Sequence, residues 1–166
     1  MSARRLDAAT ERSVREVWTR RLRAPDGAFD GDELTLVDRP DLSAVVIVRL
    51  GEGTVVAAPG DTPADLKAGR RTGARAGSRG TPVAAAGFEV WDERLAHLGL
   101  AVAPAHRNDG PGRGVAIAAV HAALEDGLVA QWRCRQGNQP SARVRHALGF
   151  VTCGRQIAFD VGAVGG

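Results

Sequence analysis

The chain has 166 residues, 44% of them apolar, with 22 basic against 19 acidic side chains and a net charge of +3. That length supports one domain with a real core. No apolar run approaches the ~18 residues that span a bilayer, and two cysteines, Cys134 and Cys153, are too few for a disulfide framework or an all-cysteine zinc site.

The basic N-terminus, Met1 to Asp7, lacks a following apolar stretch, so no signal peptide is read and a cytoplasmic location is the default expectation. Lys67 is the single lysine, so the other basic residues are arginines, and there is no tyrosine. The small positive excess suits a polyanionic cofactor or nucleic acid without choosing between them.

Residues 13–23 read as a helix. Ser13-Val14-Arg15-Glu16 has a capping-box pattern, and Val14, Val17, Trp18 and Leu22 share one face. A short strand is expected at 34–37. Two β-branched runs, 44–50 and 54–58, flank Gly51-Glu52-Gly53 as a hairpin. Thr62-Pro63-Ala64-Asp65 suggests a helical turn ended by Gly69. Gly69 to Pro82 have no apolar periodicity and are expected to form a mobile basic loop, and residues 59–82 together make a basic, glycine-rich connection.

From Val83 the pattern is regular. Strands are expected at 83–91 and 95–102 about a turn at Asp92-Glu93-Arg94. An alanine-rich helix follows at 112–126 with Gly127 at its end. A strand is expected at 128–134, a short helix at about 140–148 with Pro140 in its first turn, and a last strand from Phe150 to about Val161.

From the end of strand 95–102 into the start of helix 112–126 runs Ala103-Pro104-Ala105-His106-Arg107-Asn108-Asp109-Gly110-Pro111-Gly112-Arg113-Gly114. A strand ends, a glycine-rich arch follows and a helix begins. Free amides and the helix dipole make an anion site there, glycines let a phosphate approach the backbone, and Arg107 and Arg113 can add charge-assisted bonds. The stretch lacks the Gly-Lys-Ser/Thr of a P-loop, and Val115 stands where a dinucleotide fingerprint needs its last glycine. A tight strand-to-helix turn would also need several glycines, so the stretch alone leaves phosphate binding open.

Leu98-Gly99-Leu100-Ala101-Val102-x-Pro104, Arg107-x-x-Gly110-x-Gly112, Asn138-x-x-Ser141 and Leu148-Gly149-Phe150 occur in that order. With them, residues 83–160 resemble the GNAT N-acetyltransferase superfamily. The resemblance implies an α+β fold (an α/β/α sandwich): a mixed, mostly antiparallel sheet with a splayed parallel strand pair at its centre and helices on both faces. It implies one domain over 1–166, made of a divergent helix and hairpin (1–58), the basic loop (59–82) and a cofactor core (83–161). Acetyl-CoA would be the co-substrate, with no metal. Leu100 and Val102 would pair with the pantetheine arm. Arg107, Asn108, Asp109, Gly110, Gly112, Arg113 and Gly114 would surround the pyrophosphate. Asn138 and Ser141 would sit near the pantetheine end.

The implied reaction is direct attack of an amine, on a small molecule or protein, upon the thioester in a ternary complex. It needs positioning, a base and donors to the thioester oxygen. His97 is the first candidate base because histidine titrates near neutrality; Glu93 and Glu89 are the others. The family's acid is usually a tyrosine, whose place falls at or near Arg145, so His146, Cys134 or water would substitute, or the reaction would run with no dedicated acid. The absent tyrosine, and an acceptor side that looks shortened next to the family's because much of it is the loop 59–82, keep a second reading in play, an acyl-CoA-binding sensor or partner module. A basic nucleic-acid module is third, with too few aromatics for a stacking platform. The resemblance allows a homodimer, and no membrane partner is expected.

Overall fold

A computed structural model of the chain describes residues 5–59, 71–78 and 81–160. In chain order these form α1 (Ala8–Leu22), β1 (Leu34–Arg39), β2 (Ala44–Leu50), β3 (Gly53–Pro59), β4 (Arg71–Ser78), β5 (Thr81–Trp91) and β6 (Leu95–Val102). A 3₁₀ turn (Pro104–His106), α2 (Pro111–Glu125), β7 (Val129–Trp132), α3 (Gln139–Ala147) and β8 (Gly154–Asp160) complete the series. They fall into two compact units, one of α1, β1–β3 and β8, the other running from β4 to α3.

In the first unit, α1 starts earlier than the Ser13 signal indicates. Asp7 caps it, its carboxylate accepting from the Thr10 amide at 2.9 Å and the Thr10 hydroxyl at 2.6 Å. An aspartate with Glu11 one turn on offsets the helix dipole as well as the free amides. Ser13 to Glu16 lie inside the helix, and Val14, Val17, Trp18 and Leu22 are its buried face, as their spacing predicts. The strand order is β1-β3-β2-β8. The hairpin of β2 and β3 forms as expected, and β1 joins β3 in parallel.

The buried Arg39 guanidinium ties this unit together. It donates to both oxygens of Asp41, at 2.7 and 2.6 Å, and to the Arg21 carbonyl at the end of α1, at 2.6 Å. The carbonyls that a helix leaves unpaired at its C-terminus are thus partly satisfied by a cation. The last strand begins at Gly154, not at Phe150, and pairs with β2.

In the second unit the order is β4-β5-β6-β7. Residues 71–78, expected in the basic loop, are a strand instead: β4 pairs antiparallel with β5, with an irregularity between Ala76 and Gly77. Backbone pairing needs no apolar side chains, and β4 gains its partner from β5. The expected turn at 62–69, the rest of the loop at 60–70 and 79–80, and Val161 lie outside the described residues.

Strands β5 and β6 form the expected hairpin, in unbroken register from Trp91 against Leu95 to Ala84 against Val102. Parallel and antiparallel strands mix as the α+β expectation has it, but the described strands hydrogen-bond as two four-stranded sheets. The parallel pair β6–β7 stands at the end of one sheet, not at a centre, because the last strand pairs with β2 and leaves β7 as an edge.

The core of this unit packs Ala84, Ala86 and Phe88 of β5 and Ala96 and Leu98 of β6 against Val115, Ala119 and Ala123 of α2. Small residues on both surfaces let the helix lie close to the strands, where dispersion contacts are densest. By strand alternation, Leu100 and Val102 continue this α2-facing row, while His97, Gly99 and Ala101 belong to the other face.

Candidate functional site

The two parallel strands part company early. β6 pairs with β7 only from Leu95 against Val129 to Leu98 against Trp132. Beyond that point β6 runs on through Gly99 to Val102 with β5 on one side alone. The other edge of these residues therefore has no strand partner, and its amides and carbonyls can pair with an extended ligand as they would with another strand. A groove of about 1130 Å³ opens there, lined by Leu98 to Val102, the arch, the end of β7 and the start of α3. Pockets for drug-sized ligands run to roughly 300–1000 Å³, so this groove has room for a molecule of at least that size.

The arch forms the outer wall. Gly110 caps α2 at φ +93°, in the left-handed region that glycine enters at little cost, and Asn108 also stands at positive φ, +73°. Pro111 takes the first helical position, where an amide would be unpaired anyway. The Arg113 amide folds back to the Gly110 carbonyl at 3.0 Å, whereas those of Asn108, Asp109, Gly110 and Gly112 enter no hydrogen bond among the described residues. Gly112 is buried under β6: a Cβ there would lie 2.7 Å from Val102 Cγ2. Glycine thus brings the helix terminus, with its partial positive charge, down onto the open strand edge.

The opposite wall is held by local bonds. Asn138 caps α3 with its side-chain oxygen, which accepts from the Ser141 amide at 3.2 Å, so its amide nitrogen remains as the donor. The Ser141 hydroxyl accepts from the Trp132 indole at 3.0 Å and keeps its own proton to give. Trp132 also packs against Phe150, ring centroids 5.8 Å apart.

Of the residues expected to hold a cofactor, Leu100, Val102, Arg107, Asn108, Gly110, Gly112, Arg113, Asn138 and Ser141 all line this one groove. Asp109 and Gly114 do not: the Asp109 carboxylate lies 4.0 Å from His106 Nδ1, and Gly114 faces open space on α2. The sequence reading missed Arg135 and Arg143, which the groove includes. Their signal was present, two further arginines flanking Asn138.

The expected catalytic side chains lie elsewhere. His97 is half-buried on the sheet face opposite α2, its ring 4.5 Å from that of Trp91, with Glu89 and Gln131 beside it in register. It immediately precedes Leu98, where β6 and β7 separate. Glu93 is exposed in the turn at the other end of the hairpin, at φ +57°, and is not part of the groove. Cys134 lines the groove; Cys153 does not, and burial raises its thiol pKa. A second concavity, about 700 Å³ along α1, is lined by charges of both signs. Arg15 there pairs with Glu11 at 2.7 Å and with Asp30 at 3.1 Å.

The Acetyltransferase (GNAT) family profile matches residues 46–150. The chain belongs to the GNAT acetyltransferase family. The match reaches back into β2, well before the point at which the motifs become legible.

Solved structures with similar folds include a GNAT-family acetyltransferase from Colwellia psychrerythraea, 22% identical with a TM-score of 0.48, over 52% of this chain and 33% of that one. A putative acetyltransferase from Salmonella typhimurium, solved with its cofactor acetyl-CoA, is 22% identical with a TM-score of 0.40, over 51% of this chain and 62% of that one. An acetyltransferase from Trypanosoma brucei is 20% identical with a TM-score of 0.42, over 49% and 61%. The aligned part thus spans from a third to just over six-tenths of those chains. No curated protein matches. Among the described residues, no helix is long and apolar enough to cross a membrane, and no group of three or more His, Cys, Asp or Glu is placed to hold a metal ion.

Proposed function

We propose that this GNAT protein transfers an acetyl group from acetyl-CoA to an amine by direct attack in a ternary complex. The observation that carries the reading is the open edge of β6 at Gly99–Val102 leading straight to the unpaired amides of the arch. A pantetheine arm is an extended chain of amides and can pair along such an edge. A pyrophosphate needs the amides, dipole and cations that the arch presents. The close seat of Gly112 on Val102 supports the same fit, because a Cβ there would lie 2.7 Å from Val102 Cγ2 and one of the two would have to shift.

When bound, acetyl-CoA supplies a thioester carbonyl that an amine can attack. The chain's part is to position and to move protons. Gly99 to Val102 orient the arm, and Asn138 and Ser141 offer donors from the other wall. His97, next to the point where the strands part, is the proposed base that takes the proton of the attacking amine. Cys134 lines the groove and His146 does not, so Cys134 or water is better placed to return a proton to the leaving sulfur. Glu93, in its distant turn, has no part in this scheme.

The test is acetyl-CoA-dependent thiol release with a panel of polyamines, amino acids and lysine peptides. Turnover with at least one amine is expected. His97→Gln should lower kcat by roughly 10²–10⁴-fold, the usual contribution of general base catalysis. A loss below threefold would remove His97 from that role. A second reading, an acyl-CoA-binding module without turnover, is favoured by the absence of tyrosine from the chain. Saturable binding with no thiol release across the panel would select it.

A further inference from the structure

The charge of the groove exceeds what its arch requires. Among the described residues that line it there are five arginines, Arg107, Arg113, Arg133, Arg135 and Arg143, and no carboxylate. Arg133 turns to the Trp91 ring, 5.6 Å from its centroid. Arg107 and Arg113 flank the arch amides, and they suffice for a pyrophosphate, which carries roughly two negative charges.

Arg135 and Arg143 remain on the opposite wall, one on each side of the Asn138 cap. Neither is in an ion pair among the described residues. The Arg143 guanidinium reaches across the groove to the neutral Asn108 side-chain oxygen, at 3.5 Å. That is the outer limit of a hydrogen bond, and an anion arriving between the two walls would be the stronger acceptor.

Resting on the reading that this groove takes CoA, we infer that Arg143, with Arg135, is a specificity determinant for the 3′-phosphate of the cofactor's ribose. A phosphomonoester carries roughly −1.5 to −2 charges near neutrality. Two unpaired guanidiniums beside the pyrophosphate site match that second load. A cofactor lacking it would leave them without an anion. The groove therefore separates CoA from dephospho-CoA and from other pyrophosphate-bearing nucleotides.

The experiment is calorimetric titration of the full chain with CoA and with dephospho-CoA, in parallel with Arg143→Gln, the double variant Arg135→Gln/Arg143→Gln, and Arg113→Gln. The wild type is expected to bind CoA about tenfold or more tightly over dephospho-CoA, the scale of one charge-assisted bond. The double variant should lose that preference while binding dephospho-CoA as before, which also reports an intact fold. Arg113→Gln should weaken both ligands by the same factor, and Arg143→Lys, which keeps the charge, should retain part of the preference. Equal wild-type affinities, or variants at 135 and 143 that weaken both ligands alike, would overturn the assignment. Failure of the wild type to bind either ligand would instead overturn the CoA reading beneath it.

Discussion

The Trp132 indole donates to the Ser141 hydroxyl at 3.0 Å, so the last residue of β7 and the first turn of α3 are fastened to each other across one wall of the groove. The bond is part-buried, and each partner has a second local tie: Trp132 to Phe150, and Ser141 to Asn138. Ser141→Ala leaves the indole N–H without its acceptor and should cost about 1–3 kcal/mol, the penalty of an unsatisfied donor. Trp132→Phe removes the donor with its bond and should cost less through this term. Urea unfolding of the two single variants and the double variant checks this. Additive effects would show that the bond contributes nothing.

Two glycines of one helix should respond oppositely to alanine. At Gly112 the new Cβ meets Val102 Cγ2 at 2.7 Å; at Gly114 it meets nothing. Gly112→Ala is expected to destabilise by about 1–3 kcal/mol through overpacking and to weaken acetyl-CoA binding by tilting the helix terminus. Gly114→Ala should be stabilising by roughly 0.5–1 kcal/mol, since alanine lowers the entropy lost in a helix. Thermal melts of both variants, each with and without acetyl-CoA, measure the contrast.

The first unit should carry an acid-labile tie. Hydrogen bonds from Arg39 hold the Asp41 carboxyl at about 2, below its ordinary 3.8. A carboxyl whose folded pKa is depressed stabilises the fold fully above its unfolded value and loses that contribution as pH falls through the folded one. Stability should therefore decline from about pH 4 towards pH 2 in part through Asp41. Asp41→Asn should lower stability at pH 7 and flatten this limb of the curve. Melts from pH 7 to pH 2 read it, and an identical pH dependence in the variant would show that Asp41 does not contribute.

The second half of the chain was largely legible because its local signals agree with its tertiary contacts. The turn at Asp92-Glu93-Arg94 separates two apolar runs that become β5 and β6, the glycine-rich arch marks the start of α2, and Pro140 marks the first turn of α3. The misses have physical reasons. β4 mixes arginine, glycine and alanine with Thr72 and Ser78 and has no apolar alternation, and it is a strand because β5 gives its backbone a partner. Asp7 outcompeted Ser13 as the cap because both its oxygens find donors on Thr10. Phe150 resembles the start of a strand but packs on the α2 core instead. At the site, the motifs brought nine of eleven expected cofactor residues to one groove. The resemblance implied a splayed pair open at Leu100 and Val102 but not the residue at which β6 and β7 separate, Leu98 against Trp132, since the register of two parallel strands is not written in either one. His97 and Glu93 were chosen by residue type and strand position, and strand alternation put His97 on the face away from α2.

The splayed edge and the arch are together proposed to hold acetyl-CoA. Calorimetric titration of acetyl-CoA into the intact chain tests it most directly, repeated with Gly112→Trp, a variant whose side chain would fill the junction of arch and strand and whose fold is checked by circular dichroism. One saturable site in the wild type, lost in the folded variant, is the predicted result. No heat of binding in the wild type, or undiminished affinity in Gly112→Trp, would contradict it.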